Sequence, residues 1–249
     1  MINAGRDIVL SELRERIEGL ERGNRRSATL PFGVSEMDNH LPGNGLGLGA
    51  LHETFGAGPD LAHTAAAALF TTGILARIKG PVLWCLARRD LFAPALAAAG
   101  LHSDRVIYAE TGDDALVLSV MEEGLRHRGL AGVVAETARL SLTSSRRLQL
   151  AAEESGVTAF VLRRWHNPSR PPTEATAATT RWRVTALPSA PLTCPGIGRA
   201  RWRVELTRCR GGQAPYEWIV EACDGTGRLR LVSDMADQSA APASRRAVS

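Results

Sequence analysis

The stretch from Ala50 to Ala76, ALHETFGAGPDLAHTAAAALFTTGILA, constrains this chain more than any other. It predicts a strand over Ala50–Phe55, a Gly/Pro loop over Gly56–Pro59 and then a long, apolar, Ala-rich helix. Strand, glycine loop and helix, in that order, build the phosphate cradle of many nucleotide-binding proteins. A working cradle reads G-x-x-x-x-G-K-[ST]: backbone N–H groups hold the phosphates, the lysine reaches the terminal ones, and the hydroxyl ligates Mg²⁺. Counted from Gly56, the Gly-Lys-Thr positions hold Leu61, Ala62 and His63, or with one inserted residue Ala62, His63 and Thr64. Neither frame contains lysine. Lys79, the one lysine of the chain, lies beyond the helix, and Asp60 at the helix start repels a polyphosphate while suiting an N-cap. The remnant, Gly56, Gly58, His63 and Thr64, therefore predicts a degenerate phosphate loop with no cofactor and no metal.

The segments around this unit alternate. Pro81–Ala87 is a continuous apolar run, as a strand buried on both faces requires. Strands follow at Arg105–Glu110, Leu130–Ala135 and Val157–Arg163, separated by helices at Asp90–Ala99, Asp113–His127 (capped by Thr111 or Asp113) and Thr143–Glu154, where Ser144 and Ser145 suit the N-cap. Helical crossovers between strands mean a parallel sheet. The alternate glycines Gly43, Gly45, Gly47 and Gly49 precede the first strand of the unit, which rules out a dinucleotide fingerprint and predicts a turn leading into it. Asn167–Thr180 is Pro/Thr-rich and aperiodic, a mobile loop on sequence grounds. Three β-patterned segments, Arg181–Leu187, Arg201–Arg208 and Tyr216–Ala222, then follow without helices and suit antiparallel additions at the sheet edge.

At the N-terminus, Asp7–Arg22 reads as a helix with Leu10, Leu13, Ile17 and Leu20 on one narrow stripe, which docks on another copy or partner or packs back on its own domain. The expected organisation is an N-terminal helix over 1–24, one α/β domain over 25–235 and a disordered tail over 236–249.

No segment reaches the ~20 apolar residues that span a bilayer, and Leu61–Ala76 is interrupted by His63, Thr64, Thr71 and Thr72. Charged residues from Arg6 onward arrive too early for a signal peptide. Cys85, Cys194, Cys209 and Cys223 form no C-x-x-C pair and no metal-ligand spacing with histidine, as expected of reduced thiols in a cytoplasmic protein. The six histidines are scattered, and no nucleophile has an evident base. Glu136 ends the LAGVVAE segment, where a metal-holding carboxylate would stand.

The positive signal is basic. Between Arg139 and Leu231 there are 15 Arg against seven acidic residues, and RWRV occurs twice. In each copy the Trp and Val share one face of a strand and the two Arg the other. Arg163, Arg164, Arg181, Arg183, Arg201 and Arg203 thus form either the solvated face of half-buried strands or a surface for a nucleic-acid backbone or acidic partner.

The order of elements resembles the RecA ATPase core. LPFGVSEMDNHLPGNGLGLGALHETFGAG matches the segment containing that family's first strand and phosphate loop, and LAGVVAE its Mg²⁺-binding strand, with Glu136 for the usual Asp. VTAFVLRRW, the loop Asn167–Thr180 and TRWRVTAL fall where RecA has a strand, its second DNA-binding loop and the next strand. More closely, LPFGVSEMDNHLP, GPVLWCLARRDLFAPALAAAGL, DRVIYAE, MEEGLRH, SRRLQLAAEESG, TRWRVTALPS and GRARWRVEL resemble the ImuA family, SulA-like, RecA-related proteins encoded beside a Y-family-like partner of ImuB type and an error-prone DnaE-type polymerase. The resemblance implies a RecA-like core with antiparallel strands at its C-terminal edge. It also implies a non-catalytic adaptor in SOS-inducible translesion synthesis, binding the ImuB-type protein, the DnaE-type polymerase directly or through it, RecA, and DNA weakly. The alternatives are an ATPase with an atypical loop using His63 and Thr64, and a SulA-type cell-division inhibitor.

Overall fold

A computed structural model describes residues 28–58, 60–165, 172–190, 196 and 198–232. The expected N-terminal helix, with Leu10, Leu13, Ile17 and Leu20, and the tail from Ala236 lie outside the described residues.

The apolar runs pair as parallel strands: β3 (Leu51–Gly56), β4 (Val82–Leu86), β5 (Val106–Glu110), β6 (Gly132–Thr137) and β7 (Thr158–Arg163). Every residue of β3, β6 and β7 is buried, so these strands show no alternation of apolar and exposed polar positions, and the polar residues they carry, among them His52, Glu53, Glu136 and Arg163, are buried too. β8 (Thr180–Leu187) lies parallel to β3 and then turns the sheet antiparallel through β9 (Arg201–Cys209), β10 (Tyr216–Glu221) and β11 (Arg230–Leu231). The nine strands are ordered β11-β10-β9-β8-β3-β7-β6-β4-β5. The expected α/β architecture, parallel with antiparallel strands at the C-terminal edge, is the one observed. Two short strands, β1 (Thr29–Leu30) and β2 (Leu46–Gly47), pair separately and bracket the one-turn α1 (Ser35–Asp38).

Helices cover both faces. On one, α2 (Asp60–Ala76) and α3 (Ala93–Ala98) enclose a core of Phe32, Phe70, Trp84, Trp182, Trp202 and Trp218. Phe32 lies 5.4 Å and Phe70 5.5 Å from the Trp182 ring, packing that adds about 0.5–1.5 kcal/mol per aromatic pair beyond area burial. On the other face, α4 (Asp114–Leu125) and α5 (Leu142–Ser155) pack Val117, Met121 and Leu148 against Val133 and Val161. The threonines that interrupt the apolar run of α2 are satisfied inside it: Thr71 and Thr72 donate back to the carbonyls of Ala67 and Ala68.

The structure corrects three details and decides between two alternatives in a fourth. The helix expected over Asp90–Ala99 begins only at Ala93, because Pro94 is tolerated in the first turn and not beyond it. The α5 N-cap is Ser141, which accepts from Ser144 N, while Ser145 sits inside the first turn, buried. Of the two caps proposed for α4, Asp113 serves. Residues 172–179 of the expected mobile loop are tied down: Thr179 N donates to Leu51 O at 2.7 Å, and Ala177 N to Ser145 Oγ at 2.9 Å.

Candidate functional site

The carboxyl ends of the parallel strands, where open α/β sheets bind ligands, carry the loop that the sequence suggests is a degenerate phosphate loop. β3 ends at Gly56, and the loop runs through Ala57 and Gly58 to α2. A Cβ built on Gly56 would lie 2.6 Å from His63 Cβ, and one on Gly58 2.7 Å from His63 Cδ2. The glycines are therefore needed to let His63 pack against the loop. Its Nδ1 is buried and has no hydrogen-bond partner among the described residues. Where a cradle would bring a lysine and open N–H groups to phosphate, this loop meets an imidazole.

Glu136, at the end of β6, stands where a metal-holding carboxylate would, and both its oxygens are engaged. Trp84 Nε1 donates to Oε1 at 2.7 Å, and Arg164 Nη1 to Oε2 at 2.5 Å. Arg164 also grips Asp90, just beyond β4, with Nη2 at 2.7 Å from Oδ2 and Nη1 at 3.1 Å from Oδ1. Burial pushes the Glu136 pKa up, against the pull of the Arg164 guanidinium and the Trp84 hydrogen bond. The hydrogen bonds from Arg164 hold the Asp90 carboxyl below its usual range. One guanidinium thus bridges both acids. With Glu136 occupied and the lysine missing, the residues do not fit a Mg²⁺-nucleotide. Among the described residues no group of three or more His, Cys, Asp or Glu could hold a metal ion.

The six arginines divide. Arg163 does not lie on a surface: its side chain is fully buried, with Nη1 on Glu53 Oε1 at 2.7 Å and Nη2 on Glu174 Oε2 at 2.8 Å and Ala138 O at 3.0 Å. Arg181 belongs to the same network, its Nε 2.9 Å from Glu53 Oε2. Thr176 Oγ1 donates to that oxygen at 2.8 Å. Glu53 therefore binds residues 174–176 to the middle of the sheet, since β7 and β8 flank β3 and present Val161 and Arg181 opposite Glu53. Arg164 is the cation that bridges Glu136 and Asp90. Arg183, Arg201 and Arg203 lie on the face of the antiparallel strands opposite Trp182 and Trp202, as the RWRV pattern predicts. There Arg183 Nε bonds Glu205 Oε2 at 2.6 Å, and Arg203 Nε lies 4.0 Å from Glu217. The long, exposed Arg203–Glu217 pair stabilises by only about 0–1 kcal/mol, whereas Arg183 holds the half-buried Glu205 with two nitrogens. Sequence reasoning missed Glu53, Trp84 and Thr176. An acidic residue inside the apolar strand LHETFG was the signal, since a carboxylate buried there needs a cation.

Comparison with known proteins follows the same line. No protein-family model matches the chain. It is 41% identical over 238 residues to Protein ImuA of Caulobacter vibrioides strain NA1000 / CB15N, covering 90% of this chain and 97% of the relative. The ImuA protein of strain ATCC 19089 of that species matches equally, at 41% over 238 residues. Among solved structures, the RadB recombinase superposes with a TM-score of 0.58 at 17% identity, over 82% of this chain and 100% of that one. A KaiC-like protein of Pyrococcus horikoshii OT3 gives 0.55 at 12% identity, over 83% and 100%. The fold is RecA-like.

Proposed function

The chain belongs to the ImuA family, and from that premise we propose that it is a non-catalytic accessory protein of SOS-inducible, error-prone translesion DNA synthesis. One observation carries the non-catalytic part: the carboxylate at the metal position is held by Arg164 and Trp84, beside a phosphate loop without lysine. Phosphoryl transfer depends on cations placed around the phosphates, and the strand-end carboxylate that would hold one is bound instead by Arg164 and Trp84.

The protein acts in this reading by contact, in the cytoplasm. Its partners are an ImuB-type Y-family-like protein, a DnaE-type polymerase directly or through it, and RecA. Leu10, Leu13, Ile17 and Leu20 are assigned to a partner or to a second copy, and Arg183, Arg201 and Arg203 to weak contact with DNA. Pure protein is expected to hydrolyse no ATP with or without single-stranded DNA, and a deletion strain to lose damage-induced mutagenesis. DNA-stimulated hydrolysis that disappears on changing His63 and Thr64 would overturn the reading. So would normal induced mutagenesis together with filamentation on overexpression, which marks a cell-division inhibitor.

A further inference from the structure

The carboxyl edge of the sheet holds a cavity of about 380 Å³ between α2 and the connection from β4 to α3. One half is apolar, formed by Ala65 and Leu69 of α2 with Leu91 and Phe92. The other is polar and contains Arg88 with the Arg164–Glu136–Asp90 cluster. A second cavity of about 160 Å³ shares Arg88, Glu136 and Arg164 with the first and adds Asp114 to its wall, so the groove continues across the ends of β4 and β6.

Two features of this groove are unaccounted for by the fold. Phe92 is 68% exposed at its rim, the most exposed large apolar side chain among the described residues. Nothing about the α3 N-terminus asks for phenylalanine, because Phe92 occupies the N-cap position and makes no side-chain cap. Arg88, also exposed, makes no ion pair among the described residues. Its neighbours do: Arg89 bonds Glu110 at 2.5 Å, and Arg164 bonds Asp90 and Glu136. The groove thus offers an apolar wall beside an exposed guanidinium that acts on Asp90 through space without bonding to it. A polyphosphate reaching Arg88 would meet the carboxylates of Asp90 and Glu136. A single carboxylate carried on a chain that also fills the apolar half would not bring that excess of negative charge.

We propose that this groove is a docking site for an extended segment of a protein partner, in which a large apolar side chain packs against Phe92 and Leu69 while a neighbouring aspartate or glutamate pairs with Arg88. The proposal rests on the non-catalytic reading above, and gives the vacated ligand end of the fold a peptide to bind. Charge complementarity sets the polarity of that segment, and the exposed aromatic supplies the anchor that interfaces concentrate their energy on.

The test selects a random peptide display library on the full-length protein, then measures a fluorescent copy of the enriched peptide. The expected peptides pair Phe, Leu or Trp with an acid a few residues away. Their affinity is expected to fall roughly tenfold or more with Phe92→Ala and with Arg88→Glu, and to recover on Arg88→Glu when the peptide acid is replaced by lysine. Both side chains are exposed, so unchanged thermal midpoints show that the variants remain folded. Peptides without that pairing, or affinity indifferent to both variants, overturn the proposal. Displacement of the peptide by ATP overturns it in favour of a nucleotide, and a dimer lost in Phe92→Ala does so in favour of a second copy. ATP hydrolysis with intact peptide binding would sink only the non-catalytic reading. Absence of both would sink only the groove.

Discussion

His52 sits in β3 with no exposed surface, its Nδ1 2.7 Å from Thr180 Oγ1 and its Nε2 2.8 Å from Gly47 O. Burial brings its pKa from 6.5 down to about 4, with the Gly47 carbonyl opposing the shift. The unfolded chain then binds the proton that the folded one refuses. Stability from this residue is whole above pH 6.5 and is lost as the pH falls toward 4. The loss amounts to about 3 kcal/mol over that window at 1.36 kcal/mol per unit. Urea midpoints for His52→Gln are expected to decline less over that window than those of the parent, and parallel curves would refute this assignment. Glu136 acts with the opposite sign, since its raised pKa makes the folded state the better proton binder above the ordinary value of 4.5. Glu53 and Arg163, both at 0% side-chain exposure, belong to a buried network: without Arg163, Glu53 keeps Arg181 and Thr176, and without Glu53, Arg163 keeps Glu174. Either loss is therefore expected to cost less than the about 3–5 kcal/mol of a wholly unpaired buried charge.

At the scale of elements, α2 does two jobs that conflict over one residue. Gly73 lies inside a 17-residue helix rich in alanine, where alanine would normally be better by about 1 kcal/mol. A Cβ there would come 2.2 Å from Cys223 Sγ, 2.9 Å from its Cβ and 3.2 Å from Gly227 O. The glycine lets the loop between β10 and β11 close on the helix. Gly73→Ala is therefore expected to destabilise by about 1–3 kcal/mol despite its better propensity, read as a lowered denaturation midpoint. A stabilised variant would show that the loop yields without cost. The strap of residues 174–176 follows similar logic. A Pro/Thr-rich stretch carries no periodicity to announce structure, yet its Thr176 and Glu174 satisfy charges buried on β3 and β7.

For the molecule as a whole, the N-terminal stripe and the basic face lie far apart in the chain and are expected to be separable by mutation. Replacing Arg183, Arg201 and Arg203 by alanine is expected to weaken single-stranded DNA binding and flatten its salt dependence, leaving partner association intact. Leu13→Asp is expected to do the reverse. Arg181 is omitted because its guanidinium belongs to the Glu53 network, so its loss would be read in stability. Unfolding of the core by Leu13→Asp would mean that the stripe packs within its own domain. DNA affinity unaffected by the triple arginine change would remove the basic face from the reading.

The sheet, its parallel order and the absence of the phosphate-loop lysine were legible in the sequence, because they depend on local pattern. A strand buried on both faces lacks the alternation of a half-exposed one, as Pro81–Ala87 does, and RWRV divides tryptophan from arginine across a strand. Composition could not say which arginines were surface. Arg163 and Arg183 stand in similar β-patterned stretches, yet one is enclosed by Glu53 and Glu174 and the other pairs with Glu205 at the surface. That division was set by neighbours distant in sequence: Glu53 lies 110 residues from Arg163 and 128 from Arg181. The missing lysine established by itself that the phosphate cradle was incomplete. Only the tertiary structure decided what stands there instead, because His63 against the loop and Arg164 on Glu136 are contacts made when the strand ends converge.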